Sequence, residues 1–345
     1  MDYMVEIDGG YLEGGGQILR TAVSLSAVSK KPCRVFNIRS GRPNPGLALQ
    51  HLLGIQALAK LSNAKLEGDE LGSEEITFSP SESPGDNPQE LQVKIETAGS
   101  ITLVLQTLIL PALALRNPVR IVFEGGATDT FFSPTIDHFR YVFSKILEKM
   151  GARIEINVTK RGYYPEGGAE VEAIVYPAKL KAINLTERGN LQRILAISGA
   201  SSALGGKKVA ERQLAGVREI LGKLNLPMEE KVEYYETLSP GSQICLIVEF
   251  ENSIVGTDNL GLLGKRAEEV GKEAALELLK EQKSGACLDK HSADQILPFL
   301  ALAQSKSLIT ISQQTAHVKT NIWVIEKFLK GKFELKENIL TWLPL

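Results

Sequence analysis

Ser62-Asn63-Ala64-Lys65-Leu66-Glu67 and Met150-Gly151-Ala152-Arg153-Ile154-Glu155 are the two stretches whose match decides the fold. Each ends a helical pattern, passes a turn residue and starts an alternating strand. The offset that superposes them also places Val5-Glu6-Ile7 on Val93-Lys94-Ile95. Working outward, the first series reads as a strand at Val5, a helix from Gln17 to Val28, a strand from Arg34 to Ile38, a helix from Leu47 to Leu61 and two short strands ending near Pro80. The second runs through a strand at Val93 to Ile95, a helix from Ile101 to Leu115, a strand from Arg120 to Glu124, a helix from Asp137 to Met150 and strands at Arg153 to Val158 and Ala169 to Val175. The helices rest on spacing: Ile18, Leu19, Ala22 and Val23 share a face, as do Phe139, Val142, Phe143, Ile146 and Leu147. Both series are β-α-β-α-β-β.

A third copy is split. Ala182 to Leu185 supplies its first strand. The rest follows a hundred residues on: helix Ala293 to Ala303, strand Ser307 to Ile311, helix Asn321 to Leu329, and strands Lys332 to Leu335 and Ile339 to Trp342. Between them lies a segment with its own alternation: strand Leu191 to Ser198, helix Val209 to Leu224, strands Val232 to Thr237 and Gln243 to Phe250, and an amphipathic helix Lys265 to Lys280. The expected fold class is α/β (α+β), with three repeats over 1–185 and 286–345 and a smaller α/β domain, 186–285, inserted in the third.

Bulk properties exclude several classes. The chain has 345 residues, 43% hydrophobic and 23% charged, which is ordinary globular composition. The formal net charge of −2 gives no general basic field, so a polyanion site must be local. Cys33, Cys245 and Cys287 form no CxxC pair or disulfide framework and read as small buried residues, which suits a reducing, cytoplasmic setting. The start Met1-Asp2-Tyr3-Met4-Val5-Glu6 lacks a signal-peptide pattern. The longest apolar run, Ile101 to Leu115, falls short of the ~20 residues of a membrane span and contains Gln106 and Pro111, so it reads as a core helix and no membrane partner is expected.

Familiar nucleotide and zinc motifs are missing. Gly261-Leu262-Leu263-Gly264-Lys265-Arg266 has the wrong spacing for a phosphate loop, and neither GxGxxG nor HExxH occurs. Three stretches do carry chemistry. In Glu13-Gly14-Gly15-Gly16-Gln17-Ile18-Leu19-Arg20, glycines entering a helix expose N–H groups to an anion, and Glu13 is a hard oxygen ligand for Mg²⁺ or Mn²⁺. In Arg39-Ser40-Gly41-Arg42-Pro43-Asn44-Pro45-Gly46, two guanidinium groups on a stiffened loop suit phosphate oxygens. Near the C-terminus, Asp294 opens a helix and His317 lies in a polar loop ahead of another. A neutral imidazole there can attack phosphorus, while Asp294 suits a metal ligand, an imidazole orienter or a ribose contact. Taken singly, these stretches also read as a turn, a solvated basic loop and a capping histidine.

Taken together, the EGGGQ-I-L-R run, the loop from Ile38 to His51, Thr97-Ala98-Gly99-Ser100 with Leu105-Gln106-Thr107, Tyr164-Pro165-Glu166-Gly167-Gly168, the A-D-Q helix start and the H-x-x-T-N segment resemble the RNA 3′-terminal phosphate cyclase family, in order from about residue 5 to 340. The resemblance implies repeats like the C-terminal domain of translation initiation factor 3. It implies a ligase that uses ATP and a divalent metal to turn an RNA 3′-phosphate end into a 2′,3′-cyclic phosphodiester. By position, His317 matches the nucleotidylated histidine and Glu13 the metal-binding acid. Arg20, Arg39, Arg42, Gln50 and His51 match the residues facing phosphate or RNA. Gln106, Pro134 and the run His291-Ser292-Ala293-Asp294-Gln295 match the adenylate pocket. At His291 and Ser292 relatives can carry an aromatic that packs on adenine, and Arg161 also departs from the family pattern. A homodimer is compatible with the sequence. The rival readings are a ribosome-assembly protein of the same fold, against which His317 and Glu13 argue, and a small-molecule transferase.

Overall fold

The computed structural model describes residues 4–81, 88–222 and 227–345. Three four-stranded sheets share one topology. The first is β1 (Val5–Asp8), β2 (Cys33–Phe36), β4 (Ile76–Ser79), β3 (Lys65–Glu67); the second is β5 (Glu90–Ser100), β6 (Val119–Ala127), β8 (Glu170–Tyr176), β7 (Arg153–Lys160). The third is β9 (Asn184–Leu185), β14 (Ser307–Thr310), β16 (Ile339–Pro344), β15 (Gly331–Lys336). In each, the first two strands are parallel and the remaining pairs antiparallel. A parallel pair needs a crossover, and the first helix of each unit supplies it.

The inserted segment forms a differently ordered sheet: β11 (Met228–Tyr235), β10 (Leu191–Ser201), β12 (Ser242–Phe250) and β13 (Ile254–Leu260), with α6 (Val209–Leu221) and α7 (Ala267–Ser284). Alternation along β10 and β12 splits their side chains. Ile194, Ala196, Ile244, Leu246 and Val248 pack on α6 and α7, whereas Leu195, Ile197, Cys245 and Ile247 join the main core. Burial on both faces explains why these strands read as near-continuous apolar runs. The inserted unit is therefore covered on one face by the body of the protein.

Strand β13 escaped the sequence reading, because Gly256, Asp258 and Asn259 break a β-forming pattern. On the opposite edge of the sheet, β11 begins earlier than expected, at Met228. The helix expected over Val209 to Leu224 is seen to Leu221, and its last two positions, Lys223 and Leu224, lie outside the described residues.

At the centre lie α1 (Gly16–Ser29), α2 (Leu49–Ser62), α3 (Ile101–Leu113) and α10 (Ala316–Phe328). Helix α3 is buried all round apart from Gln106, as an apolar helix without a polar face must be. It contains Pro111, which has no N–H for the carbonyl of Thr107. The Ser24 hydroxyl of α1 donates to that carbonyl instead, at 2.8 Å. The helix expected over Ala293 to Ala303 is broken into α8 (Lys290–Gln295) and α9 (Leu297–Leu302) for a related reason. Pro298 cannot donate to Asp294, and Asn321 of α10 takes that carbonyl through Nδ2 at 2.7 Å. The helix at 136–149 is continuous but mixed: α4 (Ile136–His138), a π turn (Phe139–Phe143) and α5 (Ser144–Lys149). Among the described residues no helix is long and apolar enough to cross a membrane.

Candidate active site

Two proline-freed carbonyls and one asparagine assemble the site's framework. Asn321 holds α8 through the Asp294 carbonyl and accepts from Thr21 Oγ1 of α1 at 2.7 Å. Gln17 of α1 donates to the carbonyl of His317 at 3.2 Å. Thus α1 is fixed to α8 and α10, which lie some three hundred residues further along the chain.

His317 is not in a loop. Thr315 caps α10, accepting from the Val318 amide at 3.1 Å, so the helix begins at Ala316 and His317 sits in its first turn. Its Nδ1 lies 3.0 Å from Asp294 Oδ2 and its Nε2 2.5 Å from Glu13 Oε1. Arg42 Nη2 reaches the same Glu13 oxygen at 2.8 Å. Four residues singled out from sequence therefore meet: Glu13, Arg42, Asp294 and His317. The hydrogen bond to Asp294, aided by the charges of Asp294 and Glu13, holds the imidazole above its ordinary pKa against the opposing effect of burial.

The glycines before α1 are needed for a close approach. Gly14 takes φ 56°, and a Cβ on Gly16 would stand 1.9 Å from His51 Nε2. His51 is buried against this backbone, 3.5 Å from Arg20 Nη1. Burial first, then the charges of Arg20, Arg39 and Arg42, push its pKa down to about 3, so it is neutral across the physiological range. Burial also lowers Arg20 to about 10, partly offset by Asp294, although some of its surface stays accessible. Three guanidinium groups around one neutral imidazole make a local cationic site on a chain of net charge −2.

The other expected residues occupy different positions. Arg39 donates to the Gly46 carbonyl at 2.7 Å, and Gln50 accepts from the Ser100 amide at 3.1 Å, which ties the first repeat to the second. Pro134 sits before α4 with its carbonyl bonded to Thr102 Oγ1 at 2.9 Å. Gln106 lies on α3, with no hydrogen bond or ion pair to the His317 cluster among the described residues. His291 is exposed. Ser292 and Ala293 are buried, and the Ser292 hydroxyl donates to Asp289 Oδ2 at 2.8 Å, so these two side chains line no open surface. Gln295 Oε1 and Asp294 Oδ1 are buried polar atoms without a protein partner.

Two positions were missed as functional supports. Asp289 caps α8 by accepting from the amides of His291 and Ser292 at 3.0 and 2.8 Å, and it faces the buried His138 at 3.6 Å. An Asp three residues before a Ser-Ala-Asp run was a legible cap signal. Arg161 is the centre of a buried cluster, its Nη2 donating to both oxygens of Asp137 at 2.7 and 2.8 Å and its Nη1 to Asp129 at 3.0 Å. Gln243 of the inserted unit, its amide oxygen turned to Arg161, accepts at 2.9 Å, and Tyr235 stacks below at 4.7 Å. The cysteines Cys33, Cys245 and Cys287 are free and buried, as expected of inert thiols.

For a divalent ion the donor set is thin. Among the described residues no group of three or more His, Cys, Asp or Glu side chains forms a metal cage. Glu13 offers one carboxylate, which fits an ion that arrives with phosphate and water ligands of its own.

Fold and site together define a protein of three like-ordered α/β units around a histidine held between two carboxylates. A family model for RNA 3′-terminal phosphate cyclase matches residues 11–335. A protein of Pyrococcus furiosus bearing that name is 45% identical over 337 residues, 97% of this chain and 96% of its own. Namesakes from Saccharolobus islandicus and Thermococcus kodakarensis are each 44% identical, covering 96% and 97% of this chain and 96% and 95% of their own. The chain belongs to the RNA 3′-terminal phosphate cyclase family.

Proposed function

We propose that this protein converts RNA 3′-phosphate ends to 2′,3′-cyclic phosphodiesters at the expense of ATP, with His317 as the residue that carries AMP. The observation that carries this reading is the pairing of His317: Nδ1 on Asp294 and Nε2 toward Glu13 and Arg42. Asp294, as an acceptor, keeps the proton on Nδ1 and leaves Nε2 with its lone pair once the imidazole is neutral. Nε2 then attacks the α-phosphorus of ATP, a P–N bond forms and pyrophosphate leaves. A divalent ion on Glu13 would neutralise phosphate charge and draw that carboxylate away from Nε2.

In the second step an oxygen of the RNA 3′-phosphate attacks the same phosphorus, and His317 departs as the neutral imidazole. Arg20, Arg39 and Arg42 are suited to hold the RNA phosphate and offset charge gathering on it. In the third, the vicinal 2′-oxygen attacks the 3′-phosphorus, loses its proton to solvent or a nearby base, and AMP leaves. Both groups sit on one ribose, so proximity assists ring closure.

Incubation with α-labelled ATP and Mg²⁺ or Mn²⁺, followed by denaturation, tests the reading. We expect an acid-labile, alkali-stable label that is absent in His317→Ala. No label, or a label that survives the substitution, would overturn it.

A further inference from the structure

Phe131 and Phe132 stand in solvent on the turn between β6 and α4, and the Phe132 side chain is fully exposed. Phe132 also takes φ 62°, a left-handed conformation that bulky residues avoid. The turn is nonetheless fixed at both ends. Before it, Asp129 is gripped by the buried Arg161, and the Thr128 amide donates to the Gly162 carbonyl at 3.0 Å. After it, the Thr135 amide donates to Asp258 Oδ2 of the inserted unit at 2.7 Å. A β-bridge between Asp129 and Tyr163 sets the exposed Tyr164 beside the same turn. Leu238 of the inserted unit, also exposed, packs where Gly168 has no side chain: a Cβ there would meet it. A rigid support thus displays three aromatic rings and a leucine to water.

A chain of hydrogen bonds ties this turn to the site. Pro134, two residues after Phe132, receives the Thr102 hydroxyl; Thr102 and Ser100 share a hydrogen bond at 2.9 Å; and the Ser100 amide donates to Gln50, the neighbour of His51. The geometry points to a stacking platform, built from Phe131, Phe132 and Tyr164, for bases of single-stranded RNA just upstream of the 3′-phosphate. This rests on reading the His317 centre as an RNA-end site. Aromatic faces accept any base, and a chain of net charge −2 has no general basic field, so upstream of the terminal phosphate held by Arg20, Arg39 and Arg42 stacking is the contact suited to hold the strand.

The test compares Phe132→Ala, Tyr164→Ala and Phe132→Trp, all at exposed positions where folding is little affected. Affinity is measured, without ATP, for a short single-stranded oligoribonucleotide with a 3′-phosphate and for a nucleoside 3′,5′-bisphosphate, which has no upstream base. Each alanine variant should bind the oligonucleotide about tenfold more weakly, Phe132→Trp should retain affinity, and the bisphosphate should not distinguish the proteins. Labelling by ATP should be unchanged. Equal oligonucleotide affinity in all variants overturns the platform. So does weakened ATP labelling in Phe132→Ala, which would assign the ring to adenine, or a dimer of the unaltered protein that this substitution dissociates, which would assign the face to a second copy. Since RNA affinity is read without ATP, a failure of the unaltered protein to label would overturn the adenylation reading alone.

Discussion

His317 is held through both ring nitrogens, and this sets its response to pH. Its folded pKa lies above the ordinary value of 6.5 because Asp294 and Glu13 favour the charged ring. Sitting between carboxylates therefore adds stability that is complete below pH 6.5 and lost as pH rises through the folded value. The nucleophilic form appears over the same interval, so the rate of self-labelling should rise with pH there. Asp294→Asn should lower the imidazole pKa, measurable by NMR titration, and move the rising limb to lower pH. Its plateau rate should drop by about a hundredfold or more, since an amide no longer fixes the proton on Nδ1. An unmoved pKa would count against Asp294 as the orienter.

At the scale of elements, the site depends on how α1, α8 and α10 meet. Pro298 breaks a helix that periodicity alone reads as continuous, and the carbonyl it frees gives Asn321 its partner. Asn321→Ala would leave that carbonyl and the Thr21 hydroxyl without their partner in the interior. We expect a loss of about 1–3 kcal/mol in denaturant-derived stability, together with slower labelling, because Asp294 is no longer fixed against His317. A variant with normal labelling and normal stability would mean that α8 is located by other contacts, Asp289 foremost.

Across the whole molecule, the Arg161 cluster joins the second repeat to the inserted unit. Burial is the largest influence on Asp129 and raises its pKa, while Arg161 restrains the rise. Arg161→Met would strand two aspartates inside the protein, at about 3–5 kcal/mol. The sign with pH follows. A carboxyl whose folded pKa lies above its unfolded one binds more protons when folded, so the penalty should ease as pH falls. Urea unfolding at pH 5 and pH 8 would show this; equal losses at both would indicate that the aspartates are not the cause. The order of strands and helices in the three repeats, and the types of residue at the site, were determined by the sequence itself, because periodicity acts over short range and the match between Ser62-Asn63-Ala64 and Met150-Gly151-Ala152 shows the repeat. The docking of α10 on α8, the strand β13, the role of Arg161 and the meeting of Glu13 with His317 were decided only in the tertiary structure. Each depends on a partner far away in the chain: a carbonyl left free by proline, a neighbouring strand, or a carboxylate three hundred residues distant, and no local pattern encodes such a partner.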